Sequence, residues 1–128
     1  MYLGHFDFEQ RLLWTVPDLF SPGECAAILA GVHVPVRIYR YEPGQHFGLH
    51  QDQSYFGEDG TKSLLTFMVY LNEGFGGGET DFPEQEQIIV PKTGTALLFQ
   101  HMLLHAGRRV TEGSKLVLRS DVLYRPEE

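Results

Sequence analysis

Three side chains, spaced in two clusters, carry the chemistry this sequence could do. In Gly44-Gln-His-Phe-Gly-Leu-His-Gln-Asp52 an imidazole and a carboxylate stand two residues apart, His50 and Asp52, and Leu103-Leu-His-Ala-Gly107 supplies a distant third group, His105. On a β-strand, residues two apart project from the same face, so His50 and Asp52 can offer a ring nitrogen and a carboxylate oxygen to one metal ion. Two neutral imidazoles and one carboxylate on one side of an octahedron form the donor set of non-haem Fe(II) oxygenases, which leaves positions for a co-substrate and O2. His-x-Asp alone arises often by chance. Zinc hydrolases use a similar set, although the sequence has no His-Glu-x-x-His helix. His101, four residues before His105, is a rival third ligand if the two share a helical turn.

The elements that must position these groups are short and mostly extended. Residues 1 to 20 alternate loosely, as in Leu12-Leu-Trp-Thr-Val16, and read as a first strand before Pro17-Asp18. Ser21-Pro22-Gly-Glu24 places a capping serine, a first-turn proline and an early acid ahead of Cys25-Ala-Ala-Ile-Leu-Ala30, a helix start with its stop at Gly31. Val34 to Tyr41 is a strand ended by the turn Glu42-Pro43-Gly44, and the strand bearing His50 follows. The polar, glycine-containing stretch from Gln53 to Lys62 is a loop beside the proposed metal and a candidate lid. Ser63 to Leu71 is a continuous apolar run, as in a central strand buried on both faces. Gly76 to Gly78 marks a strand connection where the chain bends. Ile88 to Val90, Thr95 to Phe99 and Lys115 to Tyr124 add strands at the spacing of an all-β sandwich or barrel. Two stacked sheets with one helix outside is the economical packing.

Composition bounds the rest. A chain of 128 residues is expected to form one compact domain, 1–33 as an N-terminal strand and helix and 34–128 as the core, burying about two thirds of its unfolded surface. With 10 Lys and Arg against 17 Asp and Glu, the formal charge of -7 disfavours a nucleic-acid partner. The single cysteine, Cys25, excludes an internal disulfide and fits a reducing compartment. No apolar run approaches the ~20 residues that span a bilayer and no signal peptide is evident, so the expectation is a cytoplasmic protein without a membrane partner.

Taken together and in order, Tyr41 to Asp52, Leu65 to Asn72, Gly76 to Pro83, Pro91 to Phe99, and His105-Ala-Gly107 with Gly113-Ser-Lys115 resemble the Fe(II)- and 2-oxoglutarate-dependent dioxygenases of the prolyl 4-hydroxylase-like branch. The resemblance runs from about Val36 to Tyr124. It implies a double-stranded β-helix, a jelly-roll barrel, with iron held by His50, Asp52 and His105. It implies 2-oxoglutarate and O2 as co-substrates, ascorbate as a candidate reductant, and a small-molecule or peptide substrate hydroxylated at an unactivated C–H bond, a prolyl or other amino-acid side chain among the options. The family's cation for the distal 2-oxoglutarate carboxylate falls on Lys115, ten residues beyond His105. Arg119 shares its strand face and offers the better fork for a carboxylate, so both stand as candidates. Tyr41, nine residues before His50, matches a family tyrosine that hydrogen-bonds the same carboxylate. A non-catalytic metal-binding jelly roll is the alternative from another functional class. Only a few residues separate the helix from the strand at 34, fewer than in many relatives. His5, His33, His46 and His101 match no motif position and read as solvated or structurally bonded histidines.

Overall fold

A computed structural model of the chain describes residues 13–29 and 37–124. The expected helix stop at Gly31, the start of the 34–41 strand, His5 and His33 lie outside the described residues. Strand β1 (Leu13–Val16) precedes the helix α1 (Pro22–Leu29), followed by β2 (Arg37–Tyr41), β3 (Phe47–His50), β4 (Lys62–Tyr70), β5 (Gly76–Gly77) and β6 (Thr80–Phe82). A 3-10 turn over Pro83–Gln85 leads to β7 (Gln87–Ile89), β8 (Ala96–Gln100), β9 (His105–Gly107), β10 (Val110–Glu112) and β11 (Lys115–Tyr124).

Helix α1 starts where the sequence expects. The Glu24 amide donates to Ser21 Oγ and the Ser21 amide to a Glu24 carboxylate oxygen, each at 3.1 Å, which satisfies two otherwise orphaned donors reciprocally.

The strands pair antiparallel into a five-stranded sheet, β1-β8-β4-β11-β2, a four-stranded sheet, β3-β9-β6-β7, and a two-stranded ribbon, β10-β5. This is the expected jelly-roll layout, although hydrogen bonds do not close the sheets into one continuous barrel. Alternation along the large sheet explains its two buried faces. Tyr70, Leu97, Phe99 and Val117 point inward and pack with Phe82 of the small sheet. Their strand neighbours Val69, Ala96 and Leu118 point outward, where Cys25, Phe20 and Ile28 of the helical segment cover them. A central strand covered on both sides has no polar face to show, which is why β4 reads as an unbroken apolar run.

One turn needs glycine. Gly94 has φ +84°, and a Cβ there would lie 1.8 Å from the Phe20 carbonyl oxygen. The same turn ties the sheet to the segment before α1, with the Phe20 amide donating to the Gly94 carbonyl at 3.2 Å and the Gly94 amide to that of Tyr70 at 2.8 Å. Among the described residues no helix is long and apolar enough to cross a membrane.

Candidate metal centre

Strands β3 and β9 run side by side in the small sheet, and His50 and His105 face each other across that pair. β3 ends at His50, so Asp52 does not share its strand as the two-residue spacing suggested. Its backbone is held instead by an amide bond to the His101 carbonyl at 2.9 Å, while the Gln51 side-chain amide donates to the Met102 carbonyl at 2.8 Å. These two bonds stitch the segment after β3 to the turn before β9. The result still brings the groups together: Asp52 Oδ1 lies 3.2 Å from His50 Nε2 and 3.5 Å from His105 Nε2. One donor atom from each of the three residues falls within 4.8 Å of the others.

The donor chemistry fits a divalent metal. His50 Nδ1 stands 2.7 Å from the Gly48 carbonyl and His105 Nδ1 2.9 Å from that of Leu103. A carbonyl only accepts, so Nδ1 carries the hydrogen in each ring and a neutral ring keeps its lone pair on Nε2, facing the cluster. The rings are fixed by aromatic neighbours, His50 against Phe47 at 4.2 Å and His105 against Phe99 at 4.8 Å between centroids. Burial alone would raise the Asp52 carboxyl, but the adjacent His105 ring, the hydrogen bond from Thr66 and the Arg119 guanidinium hold it well below the usual carboxylate range. It is ionised wherever the protein is folded near neutral pH.

The three remaining candidates are separated by β11. Lys115, Val117 and Arg119 line one cleft, as the strand period requires, together with Tyr41, Thr66, Met68, Thr80 and the three metal-ligand candidates. Its empty space, open mouth included, is about 630 Å³. Lys115 pairs in register with Tyr41 and is 4% exposed. Its Nζ lies 5.3 Å from the Tyr41 ring centroid and 5.8 Å from that of Tyr70. No carboxylate of a described residue stands within ion-pair distance of it. Burial pushes its ammonium down to about 8, against a smaller opposing pull from Glu79. Arg119 is already engaged: its Nη2 lies 3.4 Å from Asp52 Oδ2 and 4.0 Å from Asp121 Oδ1. Burial also raises the Tyr41 hydroxyl, with Tyr39 adding to the effect.

His101, the rival third ligand, points away from the cluster. Its two nitrogens bond Thr66 Oγ1 at 2.7 Å and Ser63 Oγ at 2.8 Å, and its ring is buried. His46 is exposed, in line with the bland expectation. Sequence reasoning overlooked Thr66 and Thr80. Thr66 lies within the β4 run two residues before Met68 on the inward face, so the same period-two reading could have placed it there. Thr80 follows the three glycines, and its Oγ1 meets the Tyr70 hydroxyl at 2.5 Å.

A second depression adjoins the mouth, bordered by Arg37, Phe47, Gln53, Ser54, Tyr55 and Asp121. The candidate lid segment contributes three of these residues. It is a hydrogen-bonded turn rather than an open loop, with Gly57 donating to the Thr61 carbonyl at 2.7 Å and an isolated bridge between Phe56 and Lys62.

Similarity to known proteins agrees with this layout. A putative prolyl 4-hydroxylase of Acanthamoeba polyphaga mimivirus is 36% identical over 100 residues, covering 64% of this chain and 41% of its own length. A PKHD-type hydroxylase of Picosynechococcus is 34% identical over 82 residues, 61% of this chain and 36% of that protein. The chain thus spans about two fifths of the length of these curated relatives. The solved structure of a viral collagen prolyl hydroxylase from Paramecium Bursaria Chlorella virus-1, in complex with 2OG, shares the fold with a TM-score of 0.71 at 24% identity, over 89% of this chain and 96% of that one. The sequence pattern of the 2OG-Fe(II) oxygenase superfamily matches residues 36–120, a span holding every candidate ligand and both candidate cations. With two thirds of its length inside that pattern, this chain belongs to the 2OG-Fe(II) oxygenase superfamily.

Proposed function

We propose that the protein is an Fe(II)- and 2-oxoglutarate-dependent hydroxylase, with iron held by His50, Asp52 and His105. One juxtaposition carries the reading: the three-donor cluster shares its cleft with Lys115, a buried ammonium with no carboxylate of a described residue in reach. A metal site alone leaves that charge without a purpose. A co-substrate with a keto-acid end for the ion and a second carboxylate for the ammonium uses both, and 2-oxoglutarate is such a molecule. Bound Fe(II) supplies the redox chemistry by which 2-oxoglutarate and O2 become succinate and CO2 while one oxygen atom enters a substrate C–H bond.

The chain's own residues have separable tasks in this reading. His50 and His105 present Nε2 lone pairs, and Asp52 presents a single oxygen. Lys115 neutralises the distal carboxylate, which could not otherwise be buried. The Tyr41 hydroxyl, kept protonated by its raised pKa, donates to the same carboxylate. Phe82 and Phe99 pack behind His105 and exclude water there. Arg119, with its Nη2 3.4 Å from the second Asp52 oxygen, serves the carboxylate rather than the co-substrate in this reading. The substrate enters over the outer depression, with residues 53–62 as its lid. A prolyl or other amino-acid side chain, in a peptide or free, is the proposed target, supported by the hydroxylase names of the relatives. Ascorbate is the proposed external reductant that keeps the iron ferrous.

The test is succinate formation from 2-oxoglutarate with Fe(II) and O2, with and without a panel of proline peptides and free amino acids. Turnover stimulated by a panel member and abolished in His50→Ala is the expected result. Metal binding with no succinate under any condition would instead favour a sensor without turnover.

A further inference from the structure

A buried polar chain leads away from the candidate metal ligands, and nothing in the proposed reaction uses it. Asp52 Oδ2, the oxygen not shared with the two Nε2 atoms, lies 2.6 Å from Thr66 Oγ1. Thr66 Oγ1 lies 2.7 Å from His101 Nδ1, His101 Nε2 lies 2.8 Å from Ser63 Oγ, and the Tyr55 amide reaches Ser63 Oγ at 2.7 Å. Thr66, His101 and Ser63 are 1%, 3% and 0% exposed, so water cannot substitute for a missing partner.

The position of every hydrogen follows from one end. An ionised carboxylate only accepts, so the Thr66 hydroxyl donates to Asp52 and its oxygen must receive the His101 Nδ1 hydrogen. The Ser63 oxygen takes the Tyr55 amide hydrogen, and a ring carrying its one hydrogen at Nδ1 accepts at Nε2 from the Ser63 hydroxyl. Asp121 Oδ1 is the other group near Nε2, at 3.8 Å, too far to hydrogen-bond. Reversing either link of Thr66 sets two lone pairs or two hydrogens against each other. The His101 main chain adds to this: its carbonyl accepts from the Asp52 amide and its own amide donates to the Leu64 carbonyl, both at 2.9 Å.

We propose that His101, acting through Thr66, is a positioning residue for the metal centre, orienting the Asp52 carboxylate so that Oδ1 alone faces the two histidine nitrogens. The ring reaches the carboxylate through Thr66, beside the Arg119 guanidinium at the same oxygen, while the carbonyl holds the backbone, so His101 acts at both ends of the Asp52 side chain. This rests on the reading of His50, Asp52 and His105 as metal ligands. It also ties those ligands to the 53–62 segment, because the far end of the chain is a lid amide.

The experiment uses the whole chain titrated with Co(II), a spectroscopic stand-in for Fe(II), following the visible d–d bands, with thermal melts to establish folding. Thr66→Val keeps shape and loses the hydroxyl, whereas Thr66→Ser keeps it. His101→Leu removes the donor, and His101→Asn keeps an N–H close to where Nδ1 stands. The expectation is that Thr66→Val and His101→Leu bind Co(II) roughly 10–100-fold more weakly with altered bands, while the Ser and Asn variants stay near the wild type. Should His101→Leu fail to fold, Thr66→Val against Thr66→Ser decides alone. A folded Thr66→Val with wild-type affinity and bands overturns the positioning role, as does a change in melting temperature alone. Asp52→Asn separates the two readings: if it too binds Co(II) like the wild type, the metal centre is misassigned and the proposal falls with it. If only Asp52→Asn loses the ion, the metal reading stands and the relay does not.

Discussion

Lys115 and Arg119 share a strand face four residues apart, yet one is buried with no carboxylate of a described residue in reach and the other stands beside one. Period-two spacing could place both in the cleft, and the family pattern favoured Lys115. What the sequence could not show is the partner. Arg119 meets Asp52, 67 positions earlier, through the fold and not through any local pattern. The substitutions should therefore part cleanly. Lys115→Ala is expected to raise the 2-oxoglutarate KM by about two orders of magnitude, near 3 kcal/mol at 1.4 kcal/mol per tenfold, with little change in metal affinity. Arg119→Ala is expected to weaken metal binding more than co-substrate binding; steady-state kinetics beside metal titration checks both. The lysine also predicts a pH dependence. With its ammonium titrating near 8 in the free protein, Lys115 loses its proton as pH rises past that value, and the dicarboxylate needs the protonated form. Co-substrate affinity should thus fall above about pH 8. Binding there should take up a proton, which calorimetry in buffers of different ionisation enthalpy would register.

Secondary structure was legible where a run obeyed one rule. Helix α1 announced itself by Ser21, Pro22 and Glu24, β11 runs from Lys115 to Tyr124 as read, and β4 showed its double burial as unbroken apolarity. The reading failed at the ligand strand. β3 is four residues long and stops short of Asp52, because that aspartate takes its backbone bond from the β8–β9 turn. The order of pairing, β1-β8-β4-β11-β2, is equally non-local and follows from which apolar faces can cover one another. Gly94 belongs here too: its turn could be foreseen from Pro91-Lys-Thr-Gly94, but its contact with Phe20 could not. Gly94→Ala combines a positive φ with a Cβ set against a backbone carbonyl, so a loss of roughly 2 kcal/mol or more is expected. Denaturant unfolding would measure it. Metal affinity of the folded fraction should survive, since the turn lies outside the cleft.

Taken whole, the molecule sets a small cationic interior within an acidic chain of formal charge -7. The cleft brings Lys115 and Arg119 together on one strand face. The donor atoms come from both sides of the β3–β9 join. That join is registered at only two residue pairs, Phe47 with Gly107 and His50 with His105, and is irregular between them. An ion bound by His50, Asp52 and His105 spans that join and closes the chain segment containing β4 to β8. Metal thus becomes a clasp subject to mass action. Only the native fold assembles the three donors, so free ion at a hundred times its dissociation constant should add about 2.7 kcal/mol of stability. Melting temperature should climb with free Fe(II) or Co(II) and return on chelation, in wild type and not in His105→Ala. A cell's supply of ferrous iron would then set how long each copy of this protein lasts as well as how fast it works.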